Sequence, residues 1–152
     1  MVGRWCLHGC MASKLGNITF DCADPTALAT FWADVFGYPH PEWPEALKAE
    51  MLTGGLTEDD LAQKSAVEDP TGEGPRLFFQ RVPEGKTAKN RMHIDLRATP
   101  GRRPTDDELV AEKDRIVALG ATVVVEYDDN WGPVREHHFV MRDPEGNEFC
   151  ID

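Results

Sequence analysis

Two stretches decide how this chain folds: "RDPEGNEFCID" at residues 142–152 and "EDPTGEGPRLFFQ" at residues 68–80. Each opens on Asp-Pro, passes through a glycine-bearing turn and enters a short apolar strand. Asp-Pro followed by Gly is turn chemistry, because Pro presets φ and Gly accepts the left-handed region. The alternating residues after the turn are those of a half-buried strand. A turn-and-strand unit that recurs about 74 residues later points to a repeat, and repeats are sought before any other feature.

Working outward, "NITFDCADP" (17–25) resembles "HIDLRATP" (93–100). Each is an alternating strand that ends near a proline and precedes a helix. The first helix opens with Asp24 as N-cap and Pro25 at its first position, and Gly37 closes it. Leu28, Phe31, Trp32 and Val35 fall on its apolar face. The second opens with Thr105 and Glu108 as a capping box and ends at Gly120, with Leu109, Ile116 and Leu119 as its stripe. Strands follow at "TVVVEY" (122–127), "HHFVMR" (137–142) and "NEFCI" (147–151), and in the first half at "SAVED" (65–69) and "RLFFQR" (76–81). One more strand is expected near Met51–Leu52. Both halves then read β-α-β-β-β. The expected fold is α+β: two βαβββ modules forming a curved, partly open, barrel-like mixed sheet with helices outside. Residues 14–152 form a single domain, with module one over 14–83 and module two over 91–152. A polar connector, "VPEGKTAKN" (82–90), joins them. The insertion at 38–61 carries Trp43 and reads as a flap.

Composition narrows the partners. The chain has 152 residues and a net charge of −11. Nucleic acid requires a basic patch, and an anionic membrane surface repels such a chain. No apolar run reaches membrane-spanning length. Cys6 and Cys10 flank His8, but no second cluster completes a zinc set. Residues 1–13 read as a disordered leader without a secretory core, so the expected location is cytoplasmic.

Strand alternation sorts the remaining chemistry. Ile18, Phe20, Cys22, Ile94, Leu96, Leu77, Phe79, Phe149 and Ile151 face the helices. Asn17, Thr19, Asp21, His93, Asp95, Arg97, Phe78, Gln80, Glu148 and Cys150 face the other way. A polar sheet face bordered by Phe78, Trp43 and Trp131 suits a small-molecule cleft.

"ITFDCADPTALATFWADVFGYP", "RMHIDLRA", "LGATVV" and "RDPEGNEFCI" together resemble the vicinal oxygen chelate superfamily, and within it the glyoxalase-like domain of glyoxalase, bleomycin-resistance and dioxygenase proteins. The resemblance covers nearly all of 14–152. It implies a small-molecule ligand or substrate and a homodimer. Metal-binding members use the first and last strands of each module, which implies Asn17, Gln80, His93 and Cys150 as the site positions, with His93, Gln80 and Cys150 as the ligands if a divalent metal is held. Asn and Gln are poor ligands for a transition metal, and a lone His with a thiol is not a 2-His-1-carboxylate set. The expectation is therefore a ligand-binding protein without a metal cofactor, its pocket built from Asn17, Gln80, His93, Cys150, Phe78, Glu148, Trp43 and Asp95, with His93 as general base if it catalyses. The alternative is a metal-dependent lyase, isomerase or dioxygenase.

Overall fold

A computed structural model describes residues 15–152; the leader, with Cys6, His8 and Cys10, lies outside the described residues. The elements are β1 (Asn17–Cys22), α1 (Pro25–Phe36), α2 (Glu45–Thr53), α3 (Glu58–Leu61), β2 (Lys64–Val67), β3 (Arg76–Arg81), β4 (Asp95–Leu96), α4 (Asp106–Ala118), β5 (Thr122–Trp131), β6 (Val134–Arg142) and β7 (Glu148–Ile151). They form an α+β fold with two mixed sheets and, among the described residues, no closed barrel. One sheet is ordered β1-β3-β2 and the other β4-β7-β6-β5.

The two sheets are the same design with one strand subtracted. β1 lies parallel to β3 as β4 does to β7, and β2 lies antiparallel to β3 as β6 does to β7. Module two has β5 beyond β6, and among the described residues module one has no strand in that place. The strand expected near Met51–Leu52 is helix α2 instead, none of whose residues is buried. "EALKAEMLT" has Thr53, at its end, as its single β-branched residue and is otherwise rich in good helix formers. Gly54 and Gly55 end it.

Helices α1 and α4 follow their local signals. Asp24 accepts from the Ala27 N–H at 3.0 Å, and Gly37 takes φ 68° at the C-terminal end of α1. Thr105 and Glu108 close both bonds of the capping box on α4. The apolar face of α1 supplies Leu28, Phe31, Trp32 and Val35 to the core, where Phe79, Met141, Phe149 and Ile151 meet them. Burial alternates along β1, β3 and β7 as the sequence pattern requires.

The modules are locked by three contacts. Trp32 of α1 stacks edge-on against Phe149 of β7, centroids 5.3 Å apart, and its indole Nε1 donates to Asp143 Oδ2 at 3.3 Å. Glu145 Oε1, in the turn before β7, accepts from the N–H groups of Ala23 and Asp24 at the start of α1. Arg115 of α4 donates to the carbonyls of Asp34 and Val35 in the last turn of α1. Phe31→Ala is expected to cost about 3–5 kcal/mol in urea unfolding, since it empties a ring from a closed core. Trp32→Phe keeps an aromatic ring but loses the indole N–H, leaving Asp143 short of a donor, and about 1–3 kcal/mol is expected. A near-neutral Phe31→Ala would show that α1 packs in another register.

Candidate functional site

Period-two alternation builds the site. On the face of the four-stranded sheet turned away from α4, β4 and the residues flanking it present His93, Asp95 and Arg97. β7 presents Glu148 and Cys150, followed by Asp152. β6 presents Val134, Glu136, His138 and Val140, and β5 presents Tyr127, Asp129 and Trp131. Register sets the rows: Asp95 lies opposite Cys150, Cys150 opposite Val140, and His138 opposite Tyr127. A cleft of about 820 Å³ joins this face to the start of α4: His93, Asp95, Arg97, His138 and Cys150 line it, and so do Arg103, Asp106, Arg135 and His137.

On the cleft floor, His93 Nε2 lies 3.2 Å from Asp95 Oδ1, and both side chains are more than half exposed. Ligating atoms of His93, Asp95 and Cys150 lie within 4.8 Å of one another. Burial pushes the Cys150 thiol up, and the Asp95 carboxylate, which also takes its hydrogen bond, adds to the rise. It therefore remains a protonated thiol at neutral pH and is not an activated nucleophile. As donors for a divalent ion, the three fit in kind: one imidazole, one carboxylate and one thiol suit zinc-like chemistry with an open position. Bonds of about 2.0–2.3 Å ask for closer donors, an approach that rotation of the two exposed side chains supplies. Asp95 therefore belongs to the donor set. The signal for it was its place two residues after His93, on the same face of one strand.

Gln80 does not. Its Nε2 donates to Asp21 at 2.8 Å in the three-stranded sheet. Its equivalence with Cys150 also fails on register. Val67 and Met141 each stand two residues before the turn Asp and pair with Leu77 and Phe149. Counting on from those pairs, the counterpart of Cys150 is Phe78, and that of Gln80 is Asp152. The counterparts of His93 and Asp95 are Asn17 and Thr19, since Ile18 pairs with Leu77 as Leu96 pairs with Ile151, two residues further along each strand. The module-one positions thus offer an amide, a hydroxyl and a phenyl ring. Asn17 is exposed at the start of β1, and the Arg76 guanidinium lies 5.2 Å from the Phe78 ring centroid.

Glu148 has a structural occupation. It accepts from Lys86 Nζ and the Asn90 N–H, each at 3.0 Å, and so pins the connector between the modules. The Asn90 N–H and the Lys86 ammonium hold its carboxyl down at about 2. It borders a second cavity of about 510 Å³ at the seam of the modules, which Thr19, Asp21, His93 and Phe149 also line. Trp43 is half-buried on the loop before α2 and lines neither cavity. Trp131 is 78% exposed at the tip of the β5–β6 hairpin. That hairpin is longer than the strands at 122–127 and 137–142 foretold. Acidic Asp128 and Asp129 obscure the alternation, and Gly132 at φ 62° makes the turn.

A family model described as Glyoxalase-like domain matches residues 17–151. No curated protein matches the chain. Among solved structures, a glyoxalase/bleomycin resistance protein/dioxygenase family enzyme from Burkholderia phytofirmans PsJN is 15% identical, with a TM-score of 0.60 over 91% of this chain and 97% of that one. A mutant of the fosfomycin resistance protein FosX from Listeria monocytogenes, solved with Mn(II) and 1S,2S-dihydroxypropylphosphonic acid, is 16% identical with a TM-score of 0.59, over 93% and 90% of the two chains. A glyoxalase-related enzyme from Fulvimarina pelagi is 17% identical with a TM-score of 0.57, over 92% and 87%. No helix among the described residues is long and apolar enough to cross a membrane.

The connector contact generates a pH prediction. A carboxyl lowered on folding contributes stability that is present above its unfolded value and lost as pH falls towards its folded one. Glu148→Gln is expected to lower the urea midpoint at pH 7. The gap to the wild type should close as pH falls from about 4.3 towards 2. Equal midpoints at pH 7 would show that the Glu148 contact does not hold the connector.

Proposed function

Because the chain belongs to the glyoxalase-like domain family, we propose that it binds a small polar molecule in the cleft whose floor carries His93, Asp95 and Cys150. The observation behind this reading is the cleft itself. Its volume lies within the usual range for small-molecule pockets, about 300–1,000 Å³. Its lining mixes acceptors, guanidinium donors and imidazoles, which is what orients a polar ligand. His93 Nε2 lies beside Asp95 on the cleft floor, which places the ring to act as general base if the ligand is also turned over.

In this reading the protein works without a resident metal. Module one contributes Asn17, Thr19 and Phe78 where module two has His93, Asp95 and Cys150, so half of a two-module ligand set is absent. A second reading rests on the three-donor cluster. There His93, Asp95 and Cys150 hold a divalent ion, which would supply Lewis-acid polarisation of a bound oxygen. FosX from Listeria monocytogenes, a structural neighbour solved with Mn(II), makes that reading concrete.

Metal content separates the two. Protein purified without added metal is expected to carry well under one equivalent of zinc, iron, nickel or manganese by elemental analysis, and chelator should leave its melting temperature unchanged. Near-stoichiometric metal that vanishes in His93→Ala would put the second reading first. The cleft itself is tested by thermal-shift screening of small polar compounds. A saturating binder at about 100 times its Kd adds about 2.7 kcal/mol. That gain should fall away in Asp95→Asn and His93→Ala, and a gain retained in both would move the site elsewhere.

A further inference from the structure

Beyond Phe139, the last β6 residue paired with β7, strands β5 and β6 continue as a two-stranded arm. Every residue of β5 is exposed. A lone two-stranded ribbon is marginal in water, so what holds this one in place has to be found. The face turned towards α4 answers. His137 of β6 is 7% exposed at its side chain, and each ring nitrogen meets a carboxylate: Nδ1 lies 2.9 Å from Asp106, in the first turn of α4, and Nε2 lies 2.9 Å from Glu126 of β5. Carboxylates are acceptors at neutral pH, so both ring nitrogens must donate, and that is the imidazolium. Around it stand Arg135, bridging Asp106 and Asp128, and Arg103, whose guanidinium donates to the Arg135 carbonyl. Lys113 of α4 lies beside Phe139. These are the charged groups that face His137 from the helix, both strands and the preceding loop.

The same arm turns Glu136, His138 and Tyr127 to the opposite face; Glu136 and His138 line the cleft from there, and Asp106, Arg135 and His137 line it from the clamp itself. We infer that His137, as an imidazolium joining Asp106 to Glu126, is a positioning residue that clamps the β5–β6 arm to the start of α4, and that the outer wall of the cleft loosens when this ring loses its proton. The significance of that wall rests on the cleft being the ligand site; the clamp itself does not. Burial opposes the charge on His137, but the Asp106 and Glu126 carboxylates outweigh it and raise the ring above its ordinary value. A group raised on folding stabilises fully below its unfolded value, about 6.5, and its contribution fades as pH rises through the folded value. The arm should therefore be firm in mild acid and loosen on the alkaline side of neutrality.

Ligand-free protein tests this, so the result is independent of whether the cleft binds anything. Amide exchange over residues 126–137 is compared at pH 6.5 in the wild type, His137→Gln and His137→Lys. The glutamine variant should exchange about tenfold faster in the arm, with β7 and α4 unchanged. The lysine variant, which restores a cation in reach of both carboxylates, should return most of the protection. A merely structural ring would not be rescued by an aliphatic ammonium. NMR titration of the wild-type His137 ring should place its midpoint above 6.5, and that measurement stands even if the glutamine variant fails to fold. Wild-type exchange rates in His137→Gln, a lysine variant no better than glutamine, or a ring midpoint below 6.5 would each overturn the inference.

Discussion

The fold turns on the burial of Trp32. Its ring is almost wholly enclosed, touching Phe20, Phe31 and Phe36 from module one and Phe149 from module two. An indole buried this deeply must place its N–H, and Asp143 takes it. Asp143 is itself buried, and burial raises its carboxyl against the hydrogen bonds that pull it down. It accepts from the N–H groups of Glu145 and Asn147 and from the Asn147 side chain as well. The turn before β7 is thus folded around the group that satisfies Trp32. Neither module closes its core without the other.

That joint explains why two related turns behave differently. Asp69, before β3, also folds its own turn by accepting from Thr71 and Gly74. It reaches no helix of the other module through a hydrogen bond among the described residues. Asp143 and Glu145 reach across to Trp32 and to the start of α1. One turn pattern therefore serves a local purpose in module one and a global one in module two.

The site inherits the same asymmetry. Both modules offer a strand face to solvent, but His93, Asp95 and Cys150 stand on one of them, and Asn17, Thr19 and Phe78 hold the matching places on the other. Module two also keeps the outer strand pair that gives its cleft a wall. Module one replaces its outer strand with α2 and α3. Ion pairs from Asp106 to Arg135 and His137 tie the arm to α4, and these three residues line the cleft together with Glu136 and His138.

The sequence by itself determined the two modules, both main helices with their caps, and which side of each strand is polar. Those are local matters, set by turn residues, capping and period-two or 3.6 alternation, and they need no partner to be read. Resemblance to the glyoxalase-like family implied His93 and Cys150 as site positions. The tertiary structure alone decided that Met51–Leu52 is helical, that Gln80 is committed to Asp21, and that Glu148 anchors the connector. It also decided that Asp95 stands in the donor cluster and that His137 sits between two carboxylates. Each of those depends on which strand residue lies opposite which. Register is set by packing between segments distant in sequence, and shifting it by one residue exchanges the faces of a strand.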